Sequence, residues 1–369
     1  MSHMNAFLFV MIACNSADLP ADQPTPSTTI QIGANEPGKR HSFQWMDFFP
    51  KSDRIAIRTA LPLPVNRDYP DAVIEVYDVV NGRRRASVTI PLGGDTFTRA
   101  KPACAISPNG DWVAYGGGGL NFLVLSPYDP ALPGADKPLS RPLFGGSFGT
   151  SVWTGKGGTL FAVPENQLEA EYSLKQWTPA TGTASPTTRE LVKGGGGVST
   201  STIVALNPSS GRFAVAVNPD FREEVEEWVI ECWQLEGKPK KITIKLGGKP
   251  SAISISPDGK TLLAGLGDGS ICWYDTTTGK LTRRSPIGKG SVSTVAFHPK
   301  GDLVACGTFD RKGKPNLYCL DVKSGEIVSK VVVNESGIWA VCFSSNGEKV
   351  ATFGEAELKI WDTAALLKK

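Results

Sequence analysis

The chain repeats one sequence pattern, and the fifth copy shows it most clearly. Residues 255–275 read ISPDGKTLLAGLGDGSICWYD, and related sequence recurs at residues 106–126, 297–321 and 343–362. Each copy contains short apolar runs of strand length, separated by Pro, Gly and Asp, which favour turns. The repetition predicts an array of equivalent units, and the short runs predict that each unit is built from β-strands.

One copy predicts four strands joined by three hairpins. The first apolar run ends at Ser256-Pro257-Asp258-Gly259, where proline cannot continue a strand ladder and Asp-Gly adopts a tight turn readily. A second run ends at Gly267-Asp268-Gly269. A third run ends at Tyr274-Asp275, and a Thr/Gly turn then leads to the fourth. Four antiparallel strands connected in this way form one blade of a β-propeller.

The copies resemble WD repeats, which are named after a Trp-Asp dipeptide near the end of the third strand. The dipeptide and its near-copies occur at Trp361-Asp362, Tyr77-Asp78, Tyr274-Asp275 and Leu320-Asp321, with weaker copies at Trp177-Thr178 and Trp233-Gln234. The resemblance covers residues 28–363. It implies an all-β fold, a seven-bladed β-propeller of four-stranded antiparallel blades.

The position of the first hairpin in each copy gives the number of blades. These hairpins lie near Pro50, Pro108, Gly155, Pro208, Pro257, Pro299 and Ser345. The seventh copy leaves too few residues after Asp362 for a fourth strand. We therefore predict that the alternating segment 28–32 (TTIQI) supplies that outer strand, closes the ring and removes a free sheet edge. The predicted domains are an N-terminal segment, residues 1–27, and a single propeller, residues 28–369.

The N-terminal segment contains an apolar run, residues 6–13, that is too short to span a bilayer as a helix. Its end, Met11-Ile12-Ala13-Cys14, resembles a bacterial lipoprotein signal, in which Cys14 becomes the lipidated first residue, and a Pro/Thr/Asp-rich tether follows. No Lys or Arg precedes the apolar run, so a stray apolar tail is the alternative. The lipoprotein hypothesis predicts the bacterial cell envelope and a lipid anchor as the only membrane contact; the alternative is the cytoplasm.

The composition argues against several classes of function. A net charge of +3 and a pI of about 8.4 are too mild to indicate nucleic-acid binding. The cysteines from Cys104 onward lie in apolar runs without metal-site spacing, and we interpret them as small buried hydrophobes. His298 and Asp258 fall in turns, and the glycines around Gly267 join two strands rather than open a helix. We therefore predict no catalytic site, no cofactor and no metal.

The candidate binding surface lies in long loops. In a propeller, the loops between the second and third strands emerge on the same side as the connections between blades, and we call this side the loop-rich face. Four second-to-third-strand loops are long or highly charged, at residues 61–72, 164–171, 218–227 and 309–315. The predicted partner-binding residues in or beside such loops are Glu165, Glu169, Glu223, Glu224, Glu226, Glu227, Arg311, Lys312, Lys314, Phe97, Phe148, Phe221 and Phe309.

Loops held on a rigid scaffold are common binding sites, so we predict a monomeric, non-enzymatic scaffold that binds a protein or peptide. An acidic sector beside basic residues would orient a partner of mixed charge. Three alternatives stay open. The loops are charged only for solubility, the protein is an envelope enzyme or small-ligand binder that uses the central funnel, or the partner-binding part belongs to a longer chain.

Overall fold

The computed structural model of the protein is built almost entirely of β-strands. The residues that it describes are 23–32, 42–50, 53–60, 72–90, 104–106, 110, 113–116, 121–124, 142–145, 151–154, 159–163, 171–178, 187–195, 203–217, 228–309, 315–333, 337–354 and 356–368.

The strands form seven four-stranded antiparallel sheets, which follow one another along the chain. The first blade contains β2 (Ser42–Phe48), β3 (Arg54–Ala60), β4 (Ala72–Asp78) and β5 (Arg84–Ile90). The second contains β6 (Cys104–Ile106), β7 (Val113–Gly116), β8 (Asn121–Val124) and β9 (Pro142–Gly145). The third contains β10 (Ser151–Thr154), β11 (Leu160–Val163), β12 (Glu171–Thr178) and β13 (Thr187–Gly195). The fourth contains β14 (Val204–Asn207), β15 (Arg212–Val217), β16 (Val229–Gln234) and β17 (Lys240–Lys245).

The last three sheets carry the clearest copies of the repeat. The fifth blade contains β18 (Pro250–Ile255), β19 (Thr261–Leu266), β20 (Ser270–Asp275) and β21 (Leu281–Pro286). The sixth contains β22 (Ser291–Phe297), β23 (Leu303–Phe309), β24 (Asn316–Asp321) and β25 (Ile327–Val332). The seventh contains β26 (Ala340–Phe343), β27 (Lys349–Gly354), β28 (Glu357–Asp362) and the N-terminal strand β1 (Thr28–Gln31), and a short helix α1 (Thr363–Leu366) follows.

The predicted all-β class and four-stranded antiparallel blades are confirmed, and β1 is the outer strand of the last blade. β1 pairs with β28 in antiparallel register, from Thr28 opposite Ile360 to Gln31 opposite Glu357. The first and last blades share one hydrophobic cluster, which includes Phe48. Closure of the whole ring and a domain boundary at residue 28 stay predictions.

The first strands of several blades lie side by side. First strands of neighbouring blades contact each other, β14 with β18, β18 with β22, β22 with β26 and β26 with β2. Successive strand residues point to opposite faces of a sheet, so each blade packs against a neighbour on both sides. The fourth and fifth blades, for example, share a cluster that joins Ile230 to Leu262. Apolar packing between blades therefore holds the sheets together.

The cysteines described in the strands belong to this packing. Cys104, Cys232, Cys272, Cys306 and Cys319 are buried free thiols, and Cys342 is half-buried. Burial raises the pKa of the Cys306 thiol well above its usual range, so the thiol stays protonated and unreactive. The interpretation of these cysteines as small core residues agrees with their surroundings.

The first hairpins have the predicted turn chemistry. Gly259 adopts a φ of 72°, which favours glycine, and Ser256 Oγ donates to Asp258 Oδ1 over 2.6 Å. In the sixth blade, His298 takes the place of Ser256, and its Nδ1 lies 2.7 Å from an oxygen of Asp302. Its Nε2 lies 3.2 Å from the carbonyl oxygen of Gly347 in the next blade. His298 is a turn residue, as predicted, and it also joins its turn to the corresponding turn of the next blade.

No helix in the described ranges is long and apolar enough to cross a lipid bilayer. The helix α1 has only four residues and covers the end of the sixth and seventh blades through Leu366, which is buried.

Candidate functional site

Phe309 is the one predicted partner-binding residue that lies among the described residues. It ends the second strand of the sixth blade, β23, and is half-buried. The predicted residues that lie outside the described residues are Glu165, Glu169, Glu223, Glu224, Glu226, Glu227, Arg311, Lys312, Lys314, Phe97, Phe148 and Phe221, together with Cys14. Their contribution to binding stays a prediction.

A serine and a glycine connect the fifth blade to the sixth at the loop-rich face. Ser251 Oγ donates to the carbonyl oxygen of Gly265 over 3.1 Å and to the carbonyl oxygen of Val292 in the next blade. The hydroxyl reaches both oxygens because Ser251 sits at a bulge in β18. Gly265 leaves room for the next blade, since a Cβ placed there would lie 2.5 Å from Val292 Cγ1.

The same arrangement connects the sixth blade to the seventh. Ser293, at a bulge in β22, donates to the carbonyl oxygen of Gly307 over 3.1 Å and to that of Ile338. A Cβ on Gly307 would lie 2.5 Å from Ile338 Cγ2. We call Ser251 with Gly265, and Ser293 with Gly307, the Ser–Gly pairs. They hold the start of the following inner strand close to the blade before it.

The seventh blade has aromatic residues at both positions of the Ser–Gly pair. Counted from the first hairpin, Trp339 stands where the sibling blades have serine, and Phe353 stands where they have glycine. Phe353 is fully buried, and its ring stacks on Phe43 of the first blade at 4.8 Å with an interplanar angle of 24°. The indole of Trp339 lies 6.3 Å from the Phe353 ring and is 37% exposed. Two large rings thus replace a hydrogen bond and a close backbone approach.

Phe309 extends this group of rings toward the sixth blade. Its backbone forms an isolated antiparallel bridge with Gly337. A Cβ on Gly337 would collide with the Phe309 ring and would lie 3.3 Å from Trp339 Nε1, so both rings border this glycine. We call Phe43, Phe309, Trp339 and Phe353 the aromatic patch. Its members lie at starts of first strands and ends of second strands, which places the patch at the centre of the loop-rich face.

Exposed cations and one further aromatic residue lie elsewhere on this face. Lys249 and Lys289, in the connections before the fifth and sixth blades, are exposed. Lys249 Nζ lies 5.2 Å from the centre of the Trp228 ring, within the range of a cation–π contact. The described part of the loop-rich face therefore combines aromatic and positively charged groups.

A half-buried carboxyl group, that of Asp47, lies on one of the strands that carry the patch. Asp47 is on β2 and Cys342 is on β26, the inner strands of the first and last blades. Burial raises the pKa of Asp47 to about 6, although its Oδ1 accepts a hydrogen bond from the Phe48 backbone N–H at 2.8 Å. Burial and the neighbouring Asp47 also raise the pKa of the Cys342 thiol. A carboxyl group in this setting is partly protonated at mildly acidic pH.

The aromatic patch is suited to binding a partner rather than to catalysis. An exposed indole beside other rings offers a flat apolar surface on which a side chain of a partner can pack. Across the ranges that the structure describes, no group of three His, Cys, Asp or Glu side chains is arranged to hold a metal ion.

The sequence held a signal for this patch that hydrophobic patterning alone did not reveal. Phe309 is among the predicted residues because it begins a charged loop, whereas Trp339, Phe353 and Phe43 are not. Aligning the copies position by position shows Trp339 opposite Ser251 and Ser293. The aligned copies thus have a large aromatic residue where two others have serine, and this departure from the repeat is visible in the sequence alone.

Comparison with known proteins identifies the repeat. The family described as "WD domain, G-beta repeat" matches residues 241–275, 281–314 and 325–362. The chain is 30% identical over 129 residues to the U3 small nucleolar RNA-associated protein 4 homolog of Mus musculus, a match that covers 32% of this chain and 18% of that protein. It is 32% identical over 117 residues to the Pre-mRNA-processing factor 19 homolog 2 of Arabidopsis thaliana, covering 31% and 22%. The chain therefore spans less than a quarter of these relatives' lengths.

A similar structure is that of the WD40 β-propeller domain of Doa1. The two share a TM-score of 0.57 at 14% sequence identity, and the similarity covers 92% of this chain and 96% of that one. At this identity the similarity concerns the fold alone.

Proposed function

Since three segments of this chain match the WD repeat and its fold resembles a WD40 β-propeller, we propose that it is a non-enzymatic scaffold that binds a protein or peptide on its loop-rich face. The observation that carries the proposal is the aromatic patch. Its two positions in the seventh blade, Trp339 and Phe353, replace residues that bond neighbouring blades in the fifth and sixth. The Trp339 side chain does not form the serine hydrogen bond between blades and is 37% exposed, so it is available to a partner.

The relatives support the general class of this proposal. One relative is named a U3 small nucleolar RNA-associated protein and another a pre-mRNA-processing factor. A third, from Caenorhabditis briggsae, is named the beta-1 subunit of a guanine nucleotide-binding protein. The last is 26% identical over 113 residues, covering 30% of this chain and 33% of that protein. We propose that this chain acts by holding another protein.

The loops around the patch would supply selectivity. The acidic loop with Glu223, Glu224, Glu226 and Glu227 and the basic loop with Arg311 would give the face two charged sectors. A partner with charges of both signs would then bind in one orientation, with an apolar side chain on Trp339. The partner proposed here is accordingly a peptide or loop with an aromatic or large aliphatic residue between charged ones.

The test is quantitative capture of a partner by the full chain and by two matched variants. Trp339→Ser introduces the residue that the sibling blades carry, so we expect it to fold normally and to weaken binding by about tenfold or more. Val80→Ser changes an apolar side chain that is 67% exposed in a turn on the opposite face and should leave binding unchanged. Equal binding by both variants would exclude the aromatic patch as the binding site.

A second arm tests the acidic sector separately. Reversal of Glu223, Glu224, Glu226 and Glu227 to Lys should abolish capture while leaving thermal unfolding nearly unchanged, because the charges of a predicted surface loop contribute little to stability. If the charge-reversed chain captures the partner as strongly as the original, the acidic sector is excluded as a binding element and the aromatic patch is not.

The location of the protein and the fate of Cys14 are a further part of the proposal. We propose lipidation at Cys14 as the membrane attachment, carried by the resemblance of residues 6–14 to a lipoprotein signal. Intact mass measurement of the protein from its source would decide it. A chain that keeps residues 1–13, or that lacks the lipid mass on Cys14, would exclude this attachment.

A further inference from the structure

The outer strand of the fourth blade forms a regular sheet edge. β17 is the last strand of its sheet. It pairs with β16 in one unbroken register, from Lys240 opposite Gln234 to Lys245 opposite Val229. The fourth strands of the first, second, third, fifth and sixth blades each contain a register shift instead. Such shifts bend a strand and interrupt its pairing, so β17 keeps the regular geometry that a further strand requires.

Every second residue of β17 turns its backbone groups outward. The Leu246 N–H donates to the Trp228 carbonyl oxygen over 2.8 Å, so the backbone at this position points into the sheet. In an antiparallel pair, alternate residues exchange hydrogen bonds with the neighbouring strand. The backbone groups of Lys241, Thr243 and Lys245 therefore point away from β16. These three residues are exposed, and each presents one N–H donor and one carbonyl acceptor at the edge.

Lysine side chains lie on both sides of this edge. Side chains alternate along a strand, and Ile242 and Ile244 pack toward the fifth blade. Lys240 lies on that same side, whereas Lys241 and Lys245 lie on the other side, toward the third blade. We call the exposed lysines of this segment the basic edge: Lys238, Lys240, Lys241 and Lys245.

The positive charge of the basic edge is only partly balanced. No Asp or Glu follows Glu236 until Asp258. Among the salt bridges of the described residues, one involves the basic edge, between Lys241 Nζ and Glu231 Oε1 at 2.7 Å. Glu231 is buried and also accepts a hydrogen bond from the Tyr172 hydroxyl of the third blade. The other three lysines therefore leave positive charge beside outward backbone groups.

This combination of charge and backbone groups favours an acidic strand over other occupants. Two copies of β17 paired antiparallel about Thr243 would place Lys241 of each copy opposite Lys245 of the other, and like charges directly opposite destabilise a sheet. The phosphate backbone of a nucleic acid would attract the lysines but has no N–H donors for the outward carbonyl oxygens. An extended acidic peptide matches both, because its backbone pairs with the edge and its carboxylates pair with the lysines.

We propose that the basic edge binds an extended acidic segment of another protein, which joins the fourth blade as a fifth strand. The segment pairs its backbone with Lys241, Thr243 and Lys245 and places carboxylates beside the lysines. The same lysines oppose pairing with a basic strand, so they provide selectivity as well as attraction. This surface is the outer edge of a blade. It is separate from the aromatic patch, and the proposal does not depend on the function proposed for that patch.

The test measures binding of the fluorescent peptide Thr-Glu-Val-Thr-Val-Glu-Glu-Thr to the full chain by fluorescence anisotropy. Paired antiparallel about Thr243, its three glutamates lie opposite Lys245, Lys241 and Lys240. Exchanging the glutamates for glutamine should weaken binding by about tenfold or more. Methylating the backbone nitrogens of its second, fourth and sixth residues should do the same, by about tenfold, because these N–H groups face β17. The methylated peptide keeps every charge, so equal binding by it would overturn strand addition, as would no binding of the parent peptide.

Variants of the chain locate the site. Lys245→Glu should weaken binding by about tenfold, whereas Lys330→Glu, the same charge change on the outer strand of the sixth blade, should leave it unchanged. Thr243→Pro removes an N–H that the pairing with β16 does not use, so we expect a folded chain that no longer binds the peptide. Thermal unfolding checks the fold of each variant. Binding that survives both Lys245→Glu and Thr243→Pro, or a single-stranded oligouridylate that binds these lysines more tightly than the peptide, would overturn the proposal.

Discussion

The contact between the fifth and sixth blades and the contact between the seventh and first blades show two uses of the same repeat positions. In the fifth blade, Ser251 bonds across to Val292, and Gly265 leaves space for it. In the seventh blade, Trp339 and Phe353 occupy the same positions, and Phe353 stacks on Phe43 of the first blade. A hydrogen-bonded backbone contact is replaced by packed rings, one of them partly in solvent.

The difference shows which features of the repeat are structural and which are free to change. The turn that follows is kept in both blades, since Ser344 Oγ bonds Asn346 Oδ1 at 2.7 Å just as Ser256 bonds Asp258. Trp339 and Phe353, at the loop-rich face, depart from the Ser–Gly pair of the fifth blade. The repeat thus conserves its hairpins within this chain and varies the positions that border the proposed partner.

Phe353→Ala should have the largest effect on this comparison. The ring is fully buried between Phe43 and Trp339, so its loss leaves a cavity and removes a stacked pair. We expect the free energy of unfolding to fall by about 3–5 kcal/mol. Denaturant unfolding of the purified variant measures it. A fall below 1 kcal/mol would mean that the rings do not replace the Ser–Gly pair as a structural contact.

Gly265→Ala tests the other contact. The added methyl would lie 2.5 Å from Val292 Cγ1 and 2.9 Å from Val292 Cβ, so the inner strand of the sixth blade must shift. We expect destabilisation of about 2–3 kcal/mol. Gly267→Ala is the matched control, because a methyl there meets no atom within 4 Å. Equal stabilities of the two variants would show that the blades do not approach each other at Gly265.

The regular hairpins made the fold predictable from sequence, and the contacts between blades explain why the site was not. Asp258-Gly259 specifies a turn locally, whatever surrounds it, so the strands could be placed from residue types. Trp339 contacts Phe353, which lies 14 residues away, and Phe353 stacks on Phe43 of the first blade, so no local pattern links the three rings. The charged loops were predicted from composition, and their residues lie outside the described ranges apart from Phe309.

The outer strand of the last blade was predictable for a different reason. Four strands per blade is a counting rule, and the seventh copy was one strand short, so Thr28–Gln31 was the available candidate. The contact of residues 23–27 with the sixth blade was not predictable. It depends on the Val332 N–H donating to the side-chain amide of Gln23, and such a contact at a sheet edge leaves no repeating signal. Counting strands per blade therefore locates strands in the sequence, whereas single side-chain contacts are known only from the three-dimensional structure.

Asp47→Asn should change how the stability of the seventh-to-first contact depends on pH. The raised pKa of Asp47 means that the folded protein holds this proton more tightly than the unfolded chain between pH 3.8 and about 6. The free energy of unfolding therefore falls as pH rises through that interval and stays reduced above it. The amide cannot ionise, so the variant should lack this decline and be more stable at pH 7.5 by about 1–2 kcal/mol.

Unfolding curves at pH 4.5 and 7.5 measure the effect of Asp47→Asn. The variant and the parent should differ less at the lower pH, because Asp47 in the parent is then mostly protonated. Asp47 is half-buried and Cys342 faces it from β26, so screening by solvent makes the effect on stability smaller than the full pKa shift would give. A parallel pH dependence in parent and variant would place the ionised carboxylate in water rather than between the blades.

Ser293→Ala should have the smallest effect and isolates the hydrogen bond of a Ser–Gly pair from its close packing. The hydroxyl joins the carbonyl oxygens of Gly307 and Ile338, two buried residues, and the variant removes this donor from both. We expect a loss of about 1 kcal/mol, with Ser329→Ala on the outer strand β25 as the control. If Ser293→Ala costs as much as Gly265→Ala, the hydroxyl rather than backbone proximity connects these blades. The seventh blade would then need a compensating bond that its aromatic rings do not provide, and the interpretation of Trp339 and Phe353 as substitutes for the pair would fail.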